Sequence, residues 1–262
     1  MASMERNKSR KDDTHAGTGE AAVVPSASVV PFDLSSFTLE QCVVEVRYAI
    51  ALALWDKAGS LWRSVQEKWP DVHLVTGEPA KQAFQTGKTA FFIELEAARL
   101  TSMDKPLDEL AQIAREFFKL TSTHLKLSVF TRLGLRQIYF KEFKSRGDAA
   151  LAFNSLRLVK VPDTRKFEIE GPPVNGGYSI RWESDKKGAL VVCRAETRKM
   201  DYDPPIESAQ LFNPIHREQS GIVVDIDYYT VAPADSGQVD VGEWMNHAVR
   251  IVTRDTRYLF ED

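Results

Sequence analysis

An α+β fold, with a largely antiparallel sheet, helices packed on one face and a long C-terminal helix, is the architecture this sequence predicts. Three observations lead to it. The second half carries short alternating runs, such as Tyr178–Glu183 and Leu190–Arg198, split at hairpin distance by Asp185-Lys186-Lys187-Gly188. The first half instead holds segments with apolar residues at helical spacing. No composition break divides the chain beyond residue 30, so these elements belong to one domain over 31–262 rather than to a doubly wound parallel sheet.

Residues 1–30 are rich in Lys, Arg, Asp, Ser, Gly and Ala without periodic apolar positions. Such a segment buries too little to offset its ordering entropy and reads as a disordered tail. Cys42–Leu52 follows as a strand, with Val44, Val46 and Tyr48 on one face and Val43, Glu45 and Arg47 on the other. Leu54–Trp69 is an amphipathic helix stopped by Pro70. Lys88–Leu100 reads as a second strand, and a helix opens at Asp104 with Pro106 in its first turn. A long strand spans His124–Phe143, and Gly147 and Asp148 start a short helix through Leu156.

Strands are expected at 165–170, 178–183, 190–198 and 222–231, with a long irregular connection over 201–219. A helix over Val241–Phe260 closes the chain; its Trp244, Ala248, Ile251 and Val252 form an apolar stripe. Trp55, Trp62, Trp69 and Trp244 at helical positions read as core.

The 262 residues carry 34 basic and 37 acidic side chains, a net charge of -3, so no global field favours nucleic acid or an anionic membrane. No apolar run approaches the ~20 residues of a membrane helix, and the polar start Met1–Glu20 is unlike a secretory leader. A cytoplasmic protein is expected. Cys42 and Cys193 sit in apolar runs 151 positions apart, as buried thiols of a reducing compartment do. With five scattered histidines they give no metal-ligand spacing, and neither metal nor cofactor is expected. His124, His216 and His247 fall on three elements and read as surface or cap residues.

Thr86-Gly87-Lys88-Thr89 imitates the end of a phosphate-binding loop. Gln82 stands where the motif needs its first glycine, and the run leads into a strand rather than a helix N-terminus.

The candidate surface is polar. Asp225 and Asp227 project from one face of a predicted strand, and Glu94 and Glu96 repeat the arrangement on another. Were those strands neighbours, four carboxylates would converge as in a metal-dependent nuclease or phosphoesterase. Otherwise they line a sheet face balanced by arginines. Arg47 shares a face with Glu45, and Arg132 shares one with Arg136 across Gly134, a residue that marks a bulge or a close approach. The same arginines would serve a nucleic-acid-binding module.

Arg132-Leu133-Gly134-Leu135-Arg136-Gln137-Ile138 resembles the Arg-hydrophobic-Gly-Leu-Arg-Tyr-Ile-Asn signature of a sporadically distributed family of uncharacterised bacterial proteins of about 250 residues. Val43-Val44-Glu45-Val46-Arg47-Tyr48, the Asp225-Ile226-Asp227 strand and the helix holding His247 are similar to other parts of that family's pattern. The resemblance covers residues 40–262 and departs where Gln137-Ile138-Tyr139 replaces Tyr-Ile-Asn. Its patchy distribution is like that of defence cargo. The resemblance therefore implies a non-enzymatic accessory, regulatory or inhibitory subunit of an anti-phage defence or toxin-antitoxin-like locus, working through a protein partner from a neighbouring gene. The candidate binding residues are Arg47, Glu94, Glu96, Arg132, Arg136, Asp225 and Asp227.

Overall fold

A computed structural model describes residues 33–156, 176–202 and 215–257. The expected tail, the strand at 165–170, most of the irregular connection and the last residues of the closing helix lie outside them.

Among the described residues, eleven strands and four α-helices follow in the order β1 (Thr38–Arg47), α1 (Ala53–Lys68), β2 (His73–Glu78), β3 (Lys81–Thr86), β4 (Thr89–Glu94), β5 (Ala97–Ser102), α2 (Leu107–Leu125), β6 (Val129–Phe130), β7 (Arg132–Phe143), α3 (Arg146–Ser155), β8 (Gly177–Glu183), β9 (Lys187–Tyr202), β10 (Ile215–Thr230), β11 (Ala234–Asp235) and α4 (Val241–Thr256). Nine strands form one sheet in the order β2-β3-β4-β5-β1-β7-β10-β9-β8, and β6 pairs with β11 apart from it. Every pairing is antiparallel. The α+β architecture with helices against the sheet and a helix closing the described chain is therefore present.

Period-2 patterning decides which face is covered. Cys42, Val44 and Val46 of β1 are buried, as are Leu133 and Leu135 of β7, Ile222, Val224 and Ile226 of β10, and Val191 and Cys193 of β9. Leu54, Leu61 and Val65 of α1, Phe117 and Phe118 of α2, and Met245 and Ala248 of α4 join them in one core. An aromatic chain stiffens it: Trp69 lies 4.9 Å from Phe91, Phe91 5.1 Å from Phe117, and Phe117 5.0 Å from Phe118. Each such pair adds about 0.5–1.5 kcal/mol beyond its buried area.

Several expectations are corrected. The run 88–100 is a hairpin: β4 and β5 are separated by Leu95 and Glu96, so Glu96 sits exposed on the turn and shares no strand with Glu94. The backbone C=O of Glu96 accepts from Tyr48 N–H, and that of Leu95 accepts from Ala51 N–H, which ties the turn to the chain leaving β1. The run 124–143 is likewise split. Helix α2 continues to Leu125, ends with Lys126 in the left-handed region (φ 54°), and β7 starts only at Arg132. Pro106, not Asp104, holds the N-cap position; the Asp104 carboxylate instead accepts the Ser102 hydroxyl at 3.2 Å. Strands β2 and β3 fill residues 73–86, for which the sequence suggests no element, and β9 and β10 extend into the region expected as a loop. Trp62, Trp69 and Trp244 pack against the core, but Trp55 is 55% exposed.

Candidate functional site

The central strands put their remaining side chains on the face opposite the core. The register sets the rows: Glu45 stands beside Arg99 on one side and Gly134 on the other, with Tyr229 next, while Val43 stands beside Thr101 and Arg136, with Asp227 next. Four of the seven candidate residues, Arg132, Arg136, Asp225 and Asp227, meet on neighbouring strands; Arg47 joins them through Glu45, and Glu94 through Arg99. Glu96, on its turn, takes no part in these pairs.

Glu45 is the hub. Its Oε1 accepts from Arg47 Nε at 2.6 Å and from Arg132 Nη1 at 3.0 Å, and its Oε2 lies 3.6 Å from Arg99 Nε. Arg132 spans to the next carboxylate, donating from Nη2 to Asp227 Oδ2 at 2.7 Å. Its guanidinium also lies 4.6 Å from the Tyr229 ring centroid, and the Tyr229 hydroxyl donates to Glu183 at 2.7 Å. Gly134 makes room for this arrangement. A Cβ there would come within 3.2 Å of Arg132 Nη1, so the expected close approach is by a side chain. The only nearby register shift in β1 lies farther along, between Leu39 and Gln41.

Asp225 is 9% exposed and accepts a bidentate pair from Arg136, at 2.8 and 2.6 Å. Planar fork-to-carboxylate geometry of this kind gives strong, directional bonds. The bond to Asp225 raises the Arg136 pKa further, so its charge is permanent. Burial raises the pKa of Asp227, against the opposing pull of Arg132. At the far end of the face Arg198 donates to Glu40 at 2.6 Å and to Glu196, and lies 4.4 Å over the Phe140 ring.

The acidic pairs do not converge. β4 and β10 are separated by β5, β1 and β7, which puts Glu94 and Asp225 about 19 Å apart across the sheet alone at the usual strand spacing. Among the described residues no three His, Cys, Asp or Glu side chains group so as to hold a metal ion. The geometry that a two-carboxylate-pair nuclease needs is thus not formed by these residues. His124 bonds to Ser64 at 3.0 Å at the end of α2, and His247 is exposed on α4; neither adjoins the face. Cys42 and Cys193 are buried on the core side, and burial raises both thiols to about 12.

Over this face runs a groove of about 590 Å³. Small side chains floor it (Val43, Ala90, Thr101, Gly134), while Lys88 and Met103 on one side face Arg136 and Asp227 on the other. The Gly87-Lys88 pair is the β3–β4 turn, with Gly87 at φ +56°, and it lifts Lys88 to the rim instead of cradling a phosphate.

Sequence reasoning did not reach Arg99 and Lys88. Reading 88–100 as a single strand hid Arg99, which stands opposite Phe92 across the hairpin. The alternation of Ala97, Arg99 and Thr101 was the available signal. Among the described residues no helix is long and apolar enough to cross a membrane. No family model matches this chain, and no curated protein does.

Proposed function

We propose that this chain is a non-enzymatic interaction protein whose open sheet face recognises a partner rather than transforming a substrate. The observation that carries this reading is the state of the carboxylates on that face. Glu45, Asp225 and Asp227 are each held by arginine, and a carboxylate so engaged is a poor general base or metal ligand but a rigid part of a recognition surface. The resemblance of Arg132–Ile138 to a sporadically distributed bacterial family extends the reading. In it the chain is a cytoplasmic accessory, regulatory or inhibitory subunit of a defence or toxin-antitoxin-like system, and its partner is the product of a neighbouring gene.

Co-expression with the products of adjacent genes tests this. A stable complex with one of them is expected, weakened when Asp225 and Arg136 are replaced together by Ala so that no charge is left unpaired. Mg²⁺- or Mn²⁺-dependent cleavage of nucleic acid by the purified chain, lost on the same substitutions, would overturn it.

A further inference from the structure

The nine-stranded sheet ends on β2, whose outward N–H and C=O groups meet no strand among the described residues. Free edges are commonly guarded against pairing by Lys or Pro; His73-Leu74-Val75-Thr76-Gly77-Glu78 has neither. Leu74 and Val75 are 46% and 56% exposed. The helix layer leaves the same border open. Trp62 of α1 stacks on Phe84, the cross-strand neighbour of Leu74, and Trp55, about two turns earlier on α1, is exposed.

A bulge at Val75, where the β2–β3 register shifts, makes this edge self-complementary. The partners on β3 fix which way each residue faces. Leu74 and Gly77 stand beside Phe84 and Gln82, while His73, Thr76 and Glu78 stand beside Gln85, Ala83 and Lys81. Phe84 belongs to the core and Gln85 lines the open-face groove, so Leu74 and Gly77 take the core side and His73, Thr76 and Glu78 the open side. Under strict alternation positions 73 and 78 would fall on opposite faces; the extra residue brings them to the same one. Antiparallel pairing of β2 with another β2 then sets His73 against Glu78 and Leu74 against Gly77 at both ends, like face to like face. A slip of one residue opposes His73 to Gly77 or Leu74 to Glu78, an open-side residue to a core-side one.

We infer that two copies of this chain pair through β2 about a two-fold axis normal to the sheet. A second copy is the occupant because it supplies the same six residues in reverse, with an imidazole donor for each Glu78 carboxylate and a contact that closes on itself. Trp55 and Leu74 of each copy then border the seam between the two α1 helices. Pairing joins the sheets edge to edge and keeps both open faces on one side, so the dimer presents two recognition surfaces together. The inference does not depend on what those surfaces recognise.

Sedimentation velocity of the full chain at micromolar concentrations tests this, with melting curves to show that each variant stays folded. The chain is expected to be a dimer that dissociates on dilution. His73→Glu sets two carboxylates opposite each other twice in the interface and should weaken the dimer about tenfold. Adding Glu78→Lys to it restores opposite charges at both ends and should recover the dimer to within about twofold of wild type. Val75→Lys, which places a charge on the exposed edge, should leave the chain monomeric. A chain monomeric throughout that range, a dimer indifferent to His73→Glu or Val75→Lys, or a double variant no tighter than the single one each overturn the inference. A dimer broken instead by joint Asp225→Ala and Arg136→Ala substitution would put the contact on the open face and overturn it as well.

Discussion

Gln137 offers the sharpest check on the packing behind the candidate face. It lies on β7 between Cys42 of β1 and Ile226 of β10, fully buried on the core side, and among the described residues neither its Nε2 nor its Oε1 has a hydrogen-bond partner. An amide left unpaired in a protein interior costs about 1–3 kcal/mol. Methionine keeps the unbranched shape and removes both polar atoms. Gln137→Met is therefore expected to stabilise the chain by about 1–3 kcal/mol. At about 2–4 °C per kcal/mol for a domain of this size, the melting temperature rises by roughly 2–12 °C. Differential scanning fluorimetry, repeated by circular dichroism to confirm a single transition, measures the shift. Tyr228→Phe removes a buried hydroxyl that likewise has no partner among the described residues and should add a smaller gain. An unchanged or lower melting temperature for Gln137→Met refutes the reasoning, because it shows that the amide is satisfied in the folded protein.

Three further outcomes follow from other parts of the fold. A Cβ at Gly221 would fall 2.3 Å from the Phe140 ring and 2.5 Å from the Lys141 carbonyl, with β7 and β9 preventing retreat; Gly221→Ala should lower stability by about 1–3 kcal/mol in chemical denaturation, and a neutral result contradicts the ring's position. Cys42 and Cys193, with thiols raised to about 12 by burial, should resist an alkylating reagent at neutral pH until denaturant is added, whereas fast labelling of the native chain would place a thiol at the surface. Asp240 caps α4: burial raises its pKa, but the Glu243 and Gly242 N–H groups and Arg115 outweigh this and hold it below the ordinary 3.8. A lowered carboxylate stabilises the fold above its unfolded value and loses that contribution as pH falls through the folded one, so the stability gap between wild type and Asp240→Asn should close below about pH 3.8 in acid unfolding curves and stay open at neutral pH.

The face assignment in β1 was readable from alternation alone: Val44 and Val46 are buried while Glu45 and Arg47 reach the open side. Helix α1 was equally legible, because its apolar spacing and Pro70 act within one segment. What was hidden is non-local. The turn at Leu95 and Glu96 carries no Gly, Asn or Pro, so nothing local announces that the chain reverses there; the reversal is fixed by backbone bonds to Tyr48 and Ala51. Strand β2 has almost no buried residue, so its pattern could not show periodicity. The partners of Arg132 likewise follow from strand order, since Glu45 and Asp227 are 87 and 95 positions away.

The place of β1 in the sheet has a consequence for biogenesis. It lies between β5 and β7, so Val44 waits for Leu100 and Leu135, 56 and 91 positions later. At a synthesis rate of about 5–20 residues per second, its apolar face emerges several seconds before either flank exists. Such distant contacts also place the chain among slow folders, on the order of milliseconds to seconds once complete. The nascent strand is thus a natural client for a ribosome-associated holdase, and the stage at which β5 docks is when that dependence should fall.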